Sequence, residues 1–112
     1  MNYKILLYIF FIFILFQKSS VTDEIKIDSS KIKVLEEGNI ISALNVKANI
    51  PNKNIEIEGD EAIYDKKNSQ LTIINNVKFF DRLKNVYIEG KKVIYNQVTD
   101  IVQTFGETYI NI

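Results

Sequence analysis

The chain has no cysteine and no histidine. The first absence excludes disulfides and thiolate metal sites and leaves the redox compartment unmarked. The second removes the commonest general base, the commonest metal ligand and every histidine-dependent triad. Arginine occurs once, at Arg82, and 14 basic residues balance 14 acidic ones, so no polyanion is called for and nucleic acid is not an expected partner. The one proline, Pro51, sits with Asn52 and Lys53 in a connection where its missing N–H does no harm. No G-x-G-x-x-G, Walker or G-x-S-x-G pattern is present. Asp60 and Glu61 are adjacent, so on a strand they point to opposite faces and make a poor candidate for a paired acid and base; charged surface at a corner is the commoner case. Lys66-Lys67 and Lys91-Lys92 could meet phosphates, but solvated turn lysines are the commoner case. The chain is therefore expected to be no enzyme, with no catalytic residue, metal or cofactor.

What is present begins with an apolar run of 12 residues, Ile5 to Phe16, preceded by Lys4 and followed by Gln17, Lys18, Ser19 and Ser20. A bilayer span needs roughly 20 apolar residues, whereas the core of a secretory signal needs about 7 to 15. Residues 1–20 are thus expected to form a helical leader, a signal peptide or a short membrane anchor. Either reading exports the rest of the chain, 24–112, as one domain.

From Glu24 onward the continuous run gives way to alternation. Ile25 and Ile27, Ile32 and Val34, Ile55 and Ile57, Leu71 and Ile73, Val77 and Phe79, and Val86 and Ile88 each skip a more polar residue. This period of two marks half-buried strands. Ser29-Ser30, Gly38-Asn39, Asn68-Ser69, Asn75-Asn76 and Gly106 punctuate the runs as turns. No window carries a 3.6-residue apolar stripe, so the body is all-β.

The strands repeat. Asn54–Asp65 reads NIEIEGDEAIYD and Asn85–Asn96 reads NVYIEGKKVIYN, 31 residues later, with six identities. Earlier, Ile25, Ile27, Ile32 and Val34 precede their counterparts by 30 residues, while Asn45 and Val46 precede theirs by 31. One residue of slip in the loop Glu36 to Asn39 would reconcile the two. Three units follow, about 24–53, 54–84 and 85–112. Gly59 and Gly90 serve as corner glycines between short strands. A fixed period of this size marks stacked supersecondary units.

Parity then assigns a common inner face to Ile55, Ile57, Ala62, Tyr64, Leu71, Ile73, Val77 and Phe79, and to Val86, Ile88, Val93, Tyr95 and Val102. Glu56, Glu58, Glu61, Asp65, Lys78, Tyr87, Glu89, Lys92 and Asn96 take the other face, with Ile63, Ile74, Phe80 and Ile94 among them. An apolar sheet face must be covered. With no helix to cover it, the sheet is expected to fold over onto itself.

An apolar leader, the β repeat, Asp60–Asp65 (DEAIYD) and Asn75–Phe79 (NNVKF) together resemble the OstA/LptA-like family, with Asn75 where a glycine is usual. The likeness covers about residues 25–112. These are periplasmic lipopolysaccharide-transport proteins, and the domain recurs at the N-terminus of LptD. The resemblance implies a folded-over β-jellyroll, a V-shaped groove of short antiparallel strands whose interior holds the acyl chains of lipid A. Groove lining then falls to Ile55, Ile57, Ala62, Tyr64, Leu71, Ile73, Val77, Phe79, Val86, Ile88, Val93 and Tyr95. It further implies LptC-like and LptD-like partners joined by edge-strand addition, head-to-tail self-association, and residence in the periplasm, anchored to the inner membrane if the leader is retained. The alternative is a structural β-repeat scaffold of the cell envelope, its interior filled by its own side chains.

Overall fold

Seven strands follow one another: β1 Lys26–Asp28, β2 Lys31–Leu35, β3 Ile40–Ile50, β4 Ile55–Asp65, β5 Gln70–Asp81, β6 Val86–Asn96 and β7 Ile101–Asn111. The computed structural model describes residues 24–112, and the leader expected over 1–20 lies outside them. All pairings are antiparallel, in the order β1-β3-β4-β5-β6-β7, with β2 alongside β1 on the same edge of β3. Each 31-residue copy is one hairpin, β4–β5 and then β6–β7. The unit before them is β3 with the broken edge strand β1–β2.

One identity between the copies has a direct backbone cause. Asn54 and Asn85, which open the repeated motif, stand at φ +55° and +56° just before β4 and β6. Ser69 and Asp100 hold the same left-handed conformation before β5 and β7, at φ +52° and +58°. The left-handed region crowds Cβ against the following carbonyl, and a short polar side chain is among the few that tolerate it. These four residues turn the chain tightly enough for neighbouring strands to pair immediately.

The strands are longer than the sequence suggests. β4 runs unbroken through Gly59, and Asn75-Asn76 and Gly106, expected as turns, lie inside β5 and β7. What these residues mark is a crease. Pairing shifts register between Glu58 and Glu61, between Ile74 and Val77, and between Gly90 and Lys92. Asn45, Asn75, Asn76 and Gly106 have positive φ along the same line. On the edge, Ser30 and Asn45 join across it by a 2.9 Å side-chain hydrogen bond. Bulges of this kind bend a strand while its ladder continues on either side. The slip in the repeat also belongs here rather than in the Glu36–Asn39 loop: β3 creases on the single Asn45 where β5 uses Asn75 and Asn76.

The crease divides the sheet into two arms. One holds β1 and residues 46–50, 55–59, 77–81, 86–90 and 107–111; the other holds β2 and residues 40–44, 61–65, 70–74, 92–96 and 101–105. Phe79 pairs with Ile88 on β6, seven residues short of Tyr95. Along a straight strand that separation is roughly 23 Å. The rings of Phe79 and Tyr95 are instead 5.9 Å apart, because the arms lie face to face. The fold is a folded-over antiparallel sheet of the β-jellyroll kind.

Candidate functional site

The interior between the arms gathers the predicted inner face. Ile55, Ile57, Ala62, Leu71, Ile73, Val77, Phe79, Ile88, Val93 and Tyr95 are buried to between 0 and 5% exposure. Tyr64 and Val86 are half-buried and pack against the same cluster. β3 adds Ala43, Val46, Ala48 and Ile50, which belong to the first, more divergent unit. Fully burying a side chain of this size contributes about 1.5–3 kcal/mol, so this cluster is the main force closing the arms.

Register arranges the inner face into rows that cross the whole sheet. One row runs Ile32, Ala43, Ala62, Ile73, Val93, Thr104, and another runs Ile27, Ala48, Ile57, Phe79, Ile88, Ile110. Their centres are dry. One end of each is not: Ile32 is 52% exposed at the β2 edge and Ile110 is 52% exposed at the β7 edge, whereas Thr104 and Ile27 at the opposite ends are half-buried. Val34, on the same inner face as Ile32, is 60% exposed. The trough expected from the sequence is thus closed by its own side chains at mid-sheet and uncovered at both edges. The cause is solvation. An empty apolar groove in water gains about 25 cal/mol for each Å² that its walls bury against each other.

Opposite the crease, the strand-connecting turns of the two arms meet at a polar cluster. Asp100, in the β6–β7 turn, accepts from Lys84 at 2.5 Å and lies 3.7 Å from Lys53, with each ammonium on a different carboxylate oxygen. Tyr95 Oη donates to the same carboxylate at 2.7 Å. Lys53 Nζ donates to the Gln97 carbonyl at 3.1 Å, and Tyr64 Oη donates to the buried Gln97 side chain at 3.0 Å. The Lys84 hydrogen bond, aided by Tyr95 and the lysine charges, holds the Asp100 carboxyl below its usual range. The same pair pushes the Lys84 ammonium up. Burial raises the Tyr64 phenol.

Tyr64 and Tyr95 were expected on the inner face; Lys53, Lys84, Gln97 and Asp100 escaped the sequence reading, although a signal existed for the lysines. Lys53 and Lys84 precede Asn54 and Asn85, so the 31-residue identity extends one position further back. Asp100 has no such echo.

The outer face of the first arm carries a ladder of alternating charge, Lys47, Glu58, Lys78, Glu89, in mutual register. Beside it Phe80 and Tyr87 pack edge to face at 5.8 Å, and Arg82 lies over the Phe80 ring. A cleft of 440 Å³ opens among Lys47, Glu56, Glu58, Lys78, Phe80 and Tyr87. Tyr87 donates to Glu89 at 2.5 Å, and its phenol is pushed up to about 12, chiefly by that bond. Ile63, Ile74 and Ile94 are half-buried on the outer face of the second arm. Among the described residues there is no cluster of acidic ligands able to hold a metal ion, and no helix long and apolar enough to cross a membrane.

Residues 14–101 match the family described as LptA/(LptD N-terminal domain) LPS transport protein. Among solved structures the chain is similar to LptH of Pseudomonas aeruginosa, described as the LptA homologous periplasmic component of the conserved lipopolysaccharide transport device. The identity is 10%, the TM-score 0.42, and the match spans 80% of this chain and 95% of that one. No curated protein matches the chain.

Proposed function

Because the chain belongs to the LptA/LptD N-terminal family of lipopolysaccharide-transport proteins, we propose that it carries lipopolysaccharide across the periplasm by sheltering lipid A acyl chains between its two arms. The observation that carries this reading is the pair of inner rows that cross the sheet, one uncovered at the β2 edge and the other at the β7 edge. An acyl chain entering at Ile32 and Val34 meets apolar surface through Ala43, Ala62 and Ile73, and one entering at Ile110 meets it through Ile88, Phe79 and Ile57.

The energetics favour such a path. A chain of about a dozen carbons costs on the order of 10 kcal/mol to pass through water, at ~0.8 kcal/mol per CH₂. Between the arms it exchanges one apolar contact for another as the side chains make way. Transfer then needs no chemistry, only a parting of the arms, and no residue is assigned a catalytic role.

The edge strands supply the partner surfaces. Among the described residues β2 offers an unpaired strand edge, and Ile32 and Val34 stand on it between Lys31, Lys33 and Leu35. β7 offers another, with Phe105, Tyr109 and Ile110 exposed. Strand addition at either edge would continue the inner rows into LptC-like or LptD-like neighbours, or into a second copy head to tail. The apolar run at Ile5 to Phe16 supports export, with inner-membrane anchoring if it is retained.

The closed centre of the interior favours a second reading, a non-enzymatic envelope scaffold whose core is its own. One experiment separates the two. Photo-cross-linking residues are placed at the inward Ile57 and Tyr64 and at the outward Ile63. Labelling by lipopolysaccharide at the first two and not the third supports transport; absence of labelling at all three supports the scaffold.

A further inference from the structure

Lys53 and Lys84 sit at equivalent positions of successive repeats, in neighbouring turns of one arm. Their ammonium groups converge on the two oxygens of one carboxylate, Asp100, which belongs to the other arm. We propose that this lysine pair is a binding site for a phosphate monoester, and that a phosphate on an amphiphile's headgroup displaces the Asp100 carboxylate and thereby unfastens the arms above the apolar interior. The inference rests on the groove reading above and supplies its headgroup site and its entry step.

Two features support the exchange. A phosphate monoester carries about −1.5 to −2 charge near neutral pH and three acceptor oxygens, against one charge and two oxygens on Asp100. Two lysines therefore hold it more strongly than the residue it replaces. The cluster can also be reached from water: the side chains of Lys53, Lys84 and Asp100 are 27%, 59% and 33% exposed.

The neighbouring charges leave the site to these lysines. Arg82 is held by Glu56 at 3.1 Å. Asp81 faces Lys84, but one of its oxygens already accepts from the Lys84 amide at 3.0 Å. Moving Asp100 also withdraws the acceptor of Tyr95 Oη, and the Tyr95 ring is the one that packs across the arms on Phe79. The anion and the apolar interior are thereby linked through one side chain.

The test compares dodecyl phosphate with dodecyl glucoside, both below their micellar concentrations, binding to the full-length chain by calorimetric titration. The phosphate-headed amphiphile is expected to bind about tenfold tighter, as charge-assisted hydrogen bonds to two lysines allow. Lys53→Gln with Lys84→Gln should abolish that preference, while Lys53→Arg with Lys84→Arg keeps it and reports that the fold tolerates change there. Asp100→Asn should strengthen binding of both amphiphiles, since it loosens the fastening without touching the lysines. Sodium phosphate should compete with dodecyl phosphate and not with the glucoside. Equal binding of the two amphiphiles, or a preference that survives the glutamine pair, overturns the inference and leaves the groove intact. Sodium phosphate binding at the lysines with no advantage to dodecyl phosphate identifies a free-anion site and overturns it too. Failure of both amphiphiles to bind contradicts the groove reading itself.

Discussion

Ile73 closes over Gly59: its Cγ2 methyl occupies the space that a Cβ on the glycine would need, and the Asn75 carbonyl oxygen stands 3.3 Å from the same point. Ile73 is 1% exposed and has nowhere to retreat. Gly90, its counterpart in the next repeat, has open room, with the nearest atom at 3.6 Å on Thr108. Gly59→Ala is therefore expected to destabilise the fold by about 1–3 kcal/mol, the usual cost of overpacking a core. Gly90→Ala should change stability little. Urea denaturation of the two variants checks the asymmetry.

The left-handed residues before β4 and β6 give a paired prediction. Asn54→Ala and Asn85→Ala should each cost about 1 kcal/mol, because alanine keeps a Cβ and lacks the local hydrogen bonding that eases this conformation. Asn54→Gly and Asn85→Gly should stay near the parent stability, since glycine adopts positive φ freely. A thermal melt of the four variants distinguishes backbone conformation from any side-chain contact.

Asp100 gives the fold an acid limit. Its carboxyl titrates below its ordinary value of about 4, so it stays charged in the folded chain at a pH where the unfolded chain takes up a proton. The stabilisation is present above that ordinary value and is lost as the pH falls through the depressed one. Melting curves of the parent and of Asp100→Asn should differ at neutral pH, begin to converge near pH 4 and coincide only once the pH is below the depressed value. A difference independent of pH would mean that the carboxylate charge does not fasten the arms.

Tyr87 should titrate late in an alkaline titration. Its hydrogen bond to Glu89 keeps it protonated up to about 12. A raised value means that the stabilisation is present below the ordinary phenol value of about 10 and is lost as the pH rises through the shifted one. Glu89→Gln should bring that titration back toward the ordinary value, read as ultraviolet difference absorption.

How far the sequence reaches depends on which residues carry a period. Alternation placed Ile55, Ile57, Leu71, Ile73, Phe79 and Ile88 on one face, since a strand has only two. The 31-residue echo revealed a repeated unit because Asn54 and Asn85 answer to the same backbone constraint. The creases were harder to read. Asn75-Asn76 looks like a turn in one dimension, and only the ladder on both sides shows a strand that bends and continues. Asp100 was out of reach, because its partners Lys53 and Lys84 come near it only after the sheet folds over. The closed interior was equally unreadable: the pattern says which side chains face inward, not how far apart the arms stand.

The account stands most directly on whether the arms part around a lipid. Leu83 and Val98 are 70% and 71% exposed on the turns of opposite arms, and the chain has no cysteine of its own. Leu83→Cys with Val98→Cys therefore allows one spin label on each arm, and pulsed electron resonance gives the distance between them. Adding lipopolysaccharide should move that distance distribution to longer values, while the same lipid leaves a pair of labels within one arm unchanged. A distance that stays fixed with lipopolysaccharide bound would contradict the account.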